Sequence, residues 1–179
     1  MSGARELYVS WDDYHRTIER LALTVIRSGW TFDAIVCIAR GGMRIGDVFS
    51  RLFDRPLGIL AASSYGGRDG RDRGTLMISA ALTATVPLSG NILLVDDLVD
   101  SGTSLQAVRT WLASHTDHNQ PDQLGTIAEI RTAVLWYKAH SAIVPDYYAD
   151  YLPDNPWIHQ PFEQYDILSP HELSLRESL

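Results

Sequence analysis

Hydrophobic residues recur along the chain with two distinct periods. After Trp11, the residues Tyr14, Ile18, Leu21 and Val25 fall at the spacing of one helical face, with charged residues between them. Ser10-Trp11-Asp12-Asp13 has the form of a capping box and Gly29 offers a stop, so the pattern predicts an amphipathic helix between them. Four shorter runs at 34–39, 57–62, 91–95 and 131–137 are rich in Val, Ile and Leu with no polar alternation, which predicts strands apolar on both faces. Helical patterns at 44–53 and 104–114 lie between them. This alternation predicts an α/β fold, a mostly parallel twisted sheet flanked by helices.

The stretch 145–166 is rich in Pro, Tyr, Trp and Asp and reads as an irregular cap with one strand at 147–151; residues 167–179 read as a surface tail. No internal repeat or low-complexity linker divides the chain. With 179 residues and 45% hydrophobic content, it fits one domain of about 100–200 residues with a packed core. The expected organisation is a core at about 10–140, a hood at about 141–166 and a tail at 167–179.

In open α/β sheets, ligands collect outside the carboxyl ends of the strands. Four segments follow the predicted strands: Arg40-Gly41-Gly42, then 63–74, then 96–104, then Lys138, each unusually polar or glycine-rich. In Asp96-Asp97-Leu98-Val99-Asp100-Ser101-Gly102-Thr103-Ser104, a buried strand ends in acids and turns through hydroxyls into a helix. Backbone N–H groups at that helix N-terminus, with the hydroxyls of Ser101, Thr103 and Ser104 and close approach at Gly102, suit the oxygens of a phosphate monoester. The segment contains neither a G-x-x-x-x-G-K-[ST] loop nor a G-x-G-x-x-G fingerprint, so the phosphate is not that of a P-loop triphosphate or a Rossmann dinucleotide. Asp96 and Asp97 are hard oxygen ligands suited to Mg²⁺ or to ribose hydroxyls, although adjacent strand residues point to opposite faces. The glycine-rich, charged stretch 66–74 reads as a lid or as a solvated hairpin.

Charge and cysteine content narrow the partners. A formal charge of −7 argues against nucleic acid, whose binding needs Lys and Arg to neutralise phosphates, so a phosphate ligand must be met by local basic and backbone groups. The single cysteine, Cys37, lies in an apolar run and reads as core; it excludes a disulfide framework or a cysteine zinc site within the chain. Met1 to Glu6 lack the succession of a signal peptide and no apolar run approaches the ~20 residues of a membrane span, so a cytoplasmic location without membrane insertion is expected.

The run Ile92 to Ser104 resembles the phosphoribosyl diphosphate signature of type I phosphoribosyltransferases: an apolar strand, two acids, two apolar residues, then Asp, Ser or Thr, Gly and Thr. Arg40-Gly41-Gly42, Ser63-Ser64-Tyr65, Lys138 and the run Trp157 to Phe162 look like the matching stretches of the bacterial 6-oxopurine branch, so the resemblance covers roughly 30–163. It implies the type I fold with a small C-terminal hood. It also implies transfer of 5-phosphoribosyl from phosphoribosyl diphosphate to N9 of xanthine, guanine or hypoxanthine, with Mg²⁺ as cofactor and a homodimer or homotetramer as the assembly.

The resemblance carries roles residue by residue. Asp100 is the expected acid/base near purine N7, and it joins Ser101, Gly102, Thr103 and Ser104 around the 5′-phosphate. Asp96 and Asp97 face the ribose hydroxyls and the metal, with Asp97 the Mg²⁺ ligand. Arg40, Gly41 and Gly42 form a pyrophosphate loop with a strained, often cis, peptide; Arg71 in the lid reaches the pyrophosphate, with Arg68 and Arg73 as rivals. Lys138 donates to the purine ring oxygen, Trp157 stacks on the base or packs the hood, and the backbone near Ile158 addresses the purine edge. Two other readings remain: a ligand-sensing regulator of the same fold, and an enzyme for a pyrimidine base. The 117–130 insert and the tail depart from the bacterial pattern.

Overall fold

In the computed structural model, residues 6–65, 75–114 and 124–176 are described. The first helix, α1 (Trp11–Arg27), follows a short strand β1 (Glu6–Tyr8). The Ser10 hydroxyl accepts the Asp13 N–H at 3.1 Å, closing the helix start, and Gly29 leaves the helix at a φ of 72°. The predicted face, Tyr14, Ile18, Leu21 and Val25, is the buried one. Each such aliphatic side chain contributes about 1.5–3 kcal/mol by leaving water.

The remaining order is β2 (Ala34–Ala39), α2 (Met43–Phe53), β3 (Leu57–Tyr65), β4 (Thr75–Ile78), β5 (Thr83–Ala84), β6 (Leu88–Val99), α3 (Thr103–Ser114), β7 (Leu124–Lys138), β8 (Tyr147–Leu152), β9 (Trp157–His159), α4 (Gln164–Ile167) and α5 (Pro170–Ser174). The main sheet runs β4-β3-β2-β6-β7-β8, with β5 attached to β3. Every pairing from β3 through β8 is parallel, while β4 and β5 add antiparallel edges.

Alternation along the central strands divides the core. Ile35, Cys37, Leu93, Val95, Ala133 and Leu135 face α1 and α2, whereas Val36, Ile38, Ile92, Leu94 and Val134 face α3. Burial on both faces is why these strands read as unbroken apolar runs.

The structure refines four expectations. The predicted strand at 131–137 begins at Leu124, because 124–130 pairs in parallel with the start of β6; half of the expected insert is therefore sheet. The strand expected inside the hood at 147–151 is β8, an edge of the main sheet beside β7. The hood holds instead β9, which pairs in parallel with β1 as a separate two-stranded layer. The tail is partly ordered as α5, closed by a capping box in which Ser169 accepts from Glu172 N–H and Glu172 accepts from Ser169 N–H.

Candidate active site

The register of β6 and β7 pairs Val99 with Tyr137, which brings the next residues, Asp100 and Lys138, to the same carboxyl edge. Lys138 Nζ stands 3.5 Å from Asp100 Oδ1, and its side chain is only 8% exposed against 52% for Asp100. A buried ammonium needs such a partner. His140 Nε2 lies 2.5 Å from the same Asp100 oxygen.

Immediately beyond Asp100 the chain turns into α3. Ser101 Oγ and Thr103 Oγ1 are 3.0 Å apart, and Thr103 N–H donates to Ser101 Oγ at 3.4 Å. Gly102 has a φ of 86°, and a Cβ there would lie 2.6 Å from Ile143 Cγ1 and 2.9 Å from Ser141 Oγ. The turn after β7 thus packs directly on the hydroxyl loop, and Ala142 N–H donates to Ser101 C=O at 3.1 Å. Thr103 and Ser104 open the helix with its first N–H groups, the environment expected for a phosphate.

The other half of the site lies across β6 on the α1 side. Asp97 and Arg40-Gly41 border an open cleft of about 840 Å³ that is also lined by Arg44 and Phe162. The Ala39–Arg40 peptide is cis. Gly41 is held against Asp97 so closely that a Cβ would sit 2.5 Å from the Asp97 carboxyl carbon. Gln160 Nε2 donates to Asp97 Oδ2 at 2.7 Å. Arg40 is well exposed and its guanidinium lies 3.4 Å from Asp166.

Burial pushes the Asp96 carboxyl well above the usual carboxylate range, and the neighbouring Asp97 charge adds to it. Asp97 is raised by burial too, with the Gln160 amide pulling the other way. The phenol of Tyr14, fully buried and with its hydroxyl unpartnered, is pushed up by burial and by the Asp97 charge. Two adjacent carboxyls short of compensating charge are suited to a divalent cation. Among the described residues, no group of three or more His, Cys, Asp or Glu is arranged to hold a metal ion.

The predicted residues therefore fall into two clusters flanking β6. Asp100 to Ser104 and Lys138 form one; Asp97, Arg40, Gly41 and Gly42 form the other, with Asp96 beside it. Trp157 is 49% exposed on β9, whereas Ile158 turns inward and is 5% exposed. Trp157 keeps a free face for stacking, and Ile158 offers only its backbone to a ligand. Arg71, like its rivals Arg68 and Arg73, lies outside the described residues.

Three side chains were not anticipated. His140 follows Lys138 by two residues, but no pattern marks it. Gln160 sat inside the quoted hood motif without a role. Arg44 lies 4.1 Å from the Phe162 ring centre and 5.6 Å from that of Trp11, a stacking that joins residues far apart in the chain. Among the described residues, no helix is long and apolar enough to cross a membrane.

Comparison with known proteins gives the family of this fold. A xanthine-guanine phosphoribosyltransferase of Idiomarina loihiensis is 29% identical over 163 residues, covering 90% of this chain and 89% of that protein. The structure of a Helicobacter pylori xanthine-guanine-hypoxanthine phosphoribosyltransferase superposes with a TM-score of 0.68 at 26% identity, covering 97% of this chain and 100% of that one. A purine phosphoribosyltransferase of Pyrococcus horikoshii gives a TM-score of 0.64 at 25% identity, over 92% of this chain and 97% of that one. The phosphoribosyl transferase domain family matches residues 10–167, nearly the whole described chain, and the protein belongs to it.

Proposed function

We propose that this phosphoribosyltransferase joins phosphoribosyl diphosphate to N9 of a 6-oxopurine, releasing pyrophosphate as a salvage reaction in the cytoplasm, and works as a homodimer or homotetramer. The observation that carries this reading is the buried Lys138 ammonium beside Asp100 at the carboxyl edge of β6 and β7. A lysine there donates to a ring oxygen and rejects the donor amine of adenine. The relatives named for xanthine, guanine and hypoxanthine support the same class of base.

In this mechanism Ser101 to Ser104 hold the 5′-phosphate of the donor, and Arg40 with Gly41 and Gly42 binds its diphosphate. Trp157 covers the base, and the backbone near Ile158 reads its edge. N9 attacks the anomeric carbon, the bond from that carbon to the diphosphate oxygen breaks, and pyrophosphate leaves with the electron pair. Asp100 accepts the proton that the purine gives up at N7. Arg71 in the 66–74 stretch is the residue proposed to reach the leaving group. Asp97 is the carboxylate proposed to hold Mg²⁺, with Asp96 beside it, and the ion supplies Lewis-acid neutralisation of the charge on the leaving pyrophosphate.

The test is pyrophosphate release with phosphoribosyl diphosphate and Mg²⁺, adding xanthine, guanine, hypoxanthine, adenine, orotate or uracil one at a time. Release with 6-oxopurines alone is expected. Turnover of orotate or uracil replaces the purine reading with a pyrimidine one, and donor binding without turnover of any base replaces it with a regulator.

A further inference from the structure

The segment after β7 is tied down on three sides. Ala139 N–H donates to Leu152 C=O at 3.1 Å, and His140 N–H donates to Asn155 Oδ1 at 3.0 Å, in the turn that leads to Trp157. Ser141 N–H donates to Lys138 C=O at 3.1 Å, and Ala142 N–H donates to Ser101 C=O at the same distance. His140 is therefore presented from a braced backbone that links the hood to the phosphate loop.

Its ring is placed on one atom. Asp100 Oδ1 lies 2.5 Å from His140 Nε2 and 3.5 Å from Lys138 Nζ, and among the described residues Oδ2 is paired with no charged group. Asp100 is half exposed, and a carboxylate so exposed samples several rotamers unless something fixes it. Lys138 alone is a poor clamp, because the proposed reaction assigns the same ammonium to the purine ring oxygen.

We propose that His140 is a positioning residue for Asp100: it holds Oδ1 so that Oδ2 stays aimed at the base while Lys138 turns to the ring oxygen. This rests on the roles proposed above for Asp100 and Lys138. His140 itself touches neither substrate. Its effect belongs to the step in which the proton leaves the purine, so it acts on turnover rather than on donor binding.

The experiment compares the intact protein with His140→Ala, His140→Gln, Asp100→Asn and the double variant His140→Ala/Asp100→Asn in the pyrophosphate-release assay. His140→Ala is expected to lower kcat about tenfold with the donor KM changed less than about twofold. His140→Gln, whose terminal amide can reach the same carboxylate oxygen, is expected to recover most of that loss. In the Asp100→Asn background, His140→Ala is expected to cost nothing further, since its action passes through Asp100. The proposal is overturned by an unchanged kcat in His140→Ala, by a Gln variant no better than Ala, or by full additivity in the double variant. Those results with Asp100→Asn impaired remove the role of His140 alone; an unimpaired Asp100→Asn removes the acid/base role of Asp100 and this inference with it.

Discussion

Asp96 and Asp97 sit inside β6, two residues short of its end, and burial raises both carboxyls. A carboxyl raised in the folded state takes up a proton on folding. Its stabilising contribution is complete below the unfolded value and is lost as pH climbs through the folded one. Asp96→Asn, measured in EDTA, is therefore expected to melt about 2–4 °C higher at neutral pH, a gain of about 1 kcal/mol, and to show no gain at about pH 3. A neutral-pH melting temperature equal to the parent's would mean the charge is already compensated. Trp157 makes the second prediction at this scale. With half its surface exposed, its loss in Trp157→Ala should raise the KM for the base on the order of tenfold and leave the donor KM unchanged, because one base–aromatic stack is worth ~1–3 kcal/mol. A lower melting temperature with an unchanged KM would assign it to packing the hood instead.

The elements proposed to bind the donor are turns that follow strands, and each depends on what lies against it. The hydroxyl turn between β6 and α3 needs Gly102 twice, for its left-handed φ and for the contact with Ile143 and Ser141. Gly102→Ala is expected to cost about 1–3 kcal/mol of stability and to weaken donor binding at least about tenfold, read by thermal melting and calorimetric titration. Tight donor binding in that variant would show that the turn is not the phosphate cradle. The turns after β2 and β6 were recognisable beforehand, because glycine, acid and hydroxyl clusters stand out after apolar runs. Less was legible in the short strands. β1, β4, β5 and β9 are two to four residues each, too short to show a period, and β1 exists as a strand only because β9 lies beside it.

For the whole molecule, the two-sided core decides accessibility. Cys37 has no exposed surface, and burial pushes its thiol up to about 11. Thiol reagents are expected to label the native protein only as fast as it unfolds, with labelling and loss of tertiary signal coinciding in a denaturant series. Rapid labelling without denaturant would show that the packing between α2 and β2 opens locally.

Periodicity and turn chemistry are local properties, since helix and strand repeats follow from backbone geometry and a helix N-terminus binds anions wherever it lies. They were enough to determine the alternating α/β order, the buried strands, and the glycine- and hydroxyl-rich turn with the acids before it. Distance between residues remote in sequence is not local. The parallel register of β6 with β7 decides that Asp100 meets Lys138, and the braced turn beyond β7 decides that His140 joins them. The hood's return across α1 decides that Gln160 holds Asp97 and that Phe162 covers Arg44. A histidine, a glutamine and an arginine carry no mark of these partners until the sheet has formed, because each contact is made by side chains that only the packed fold brings within reach.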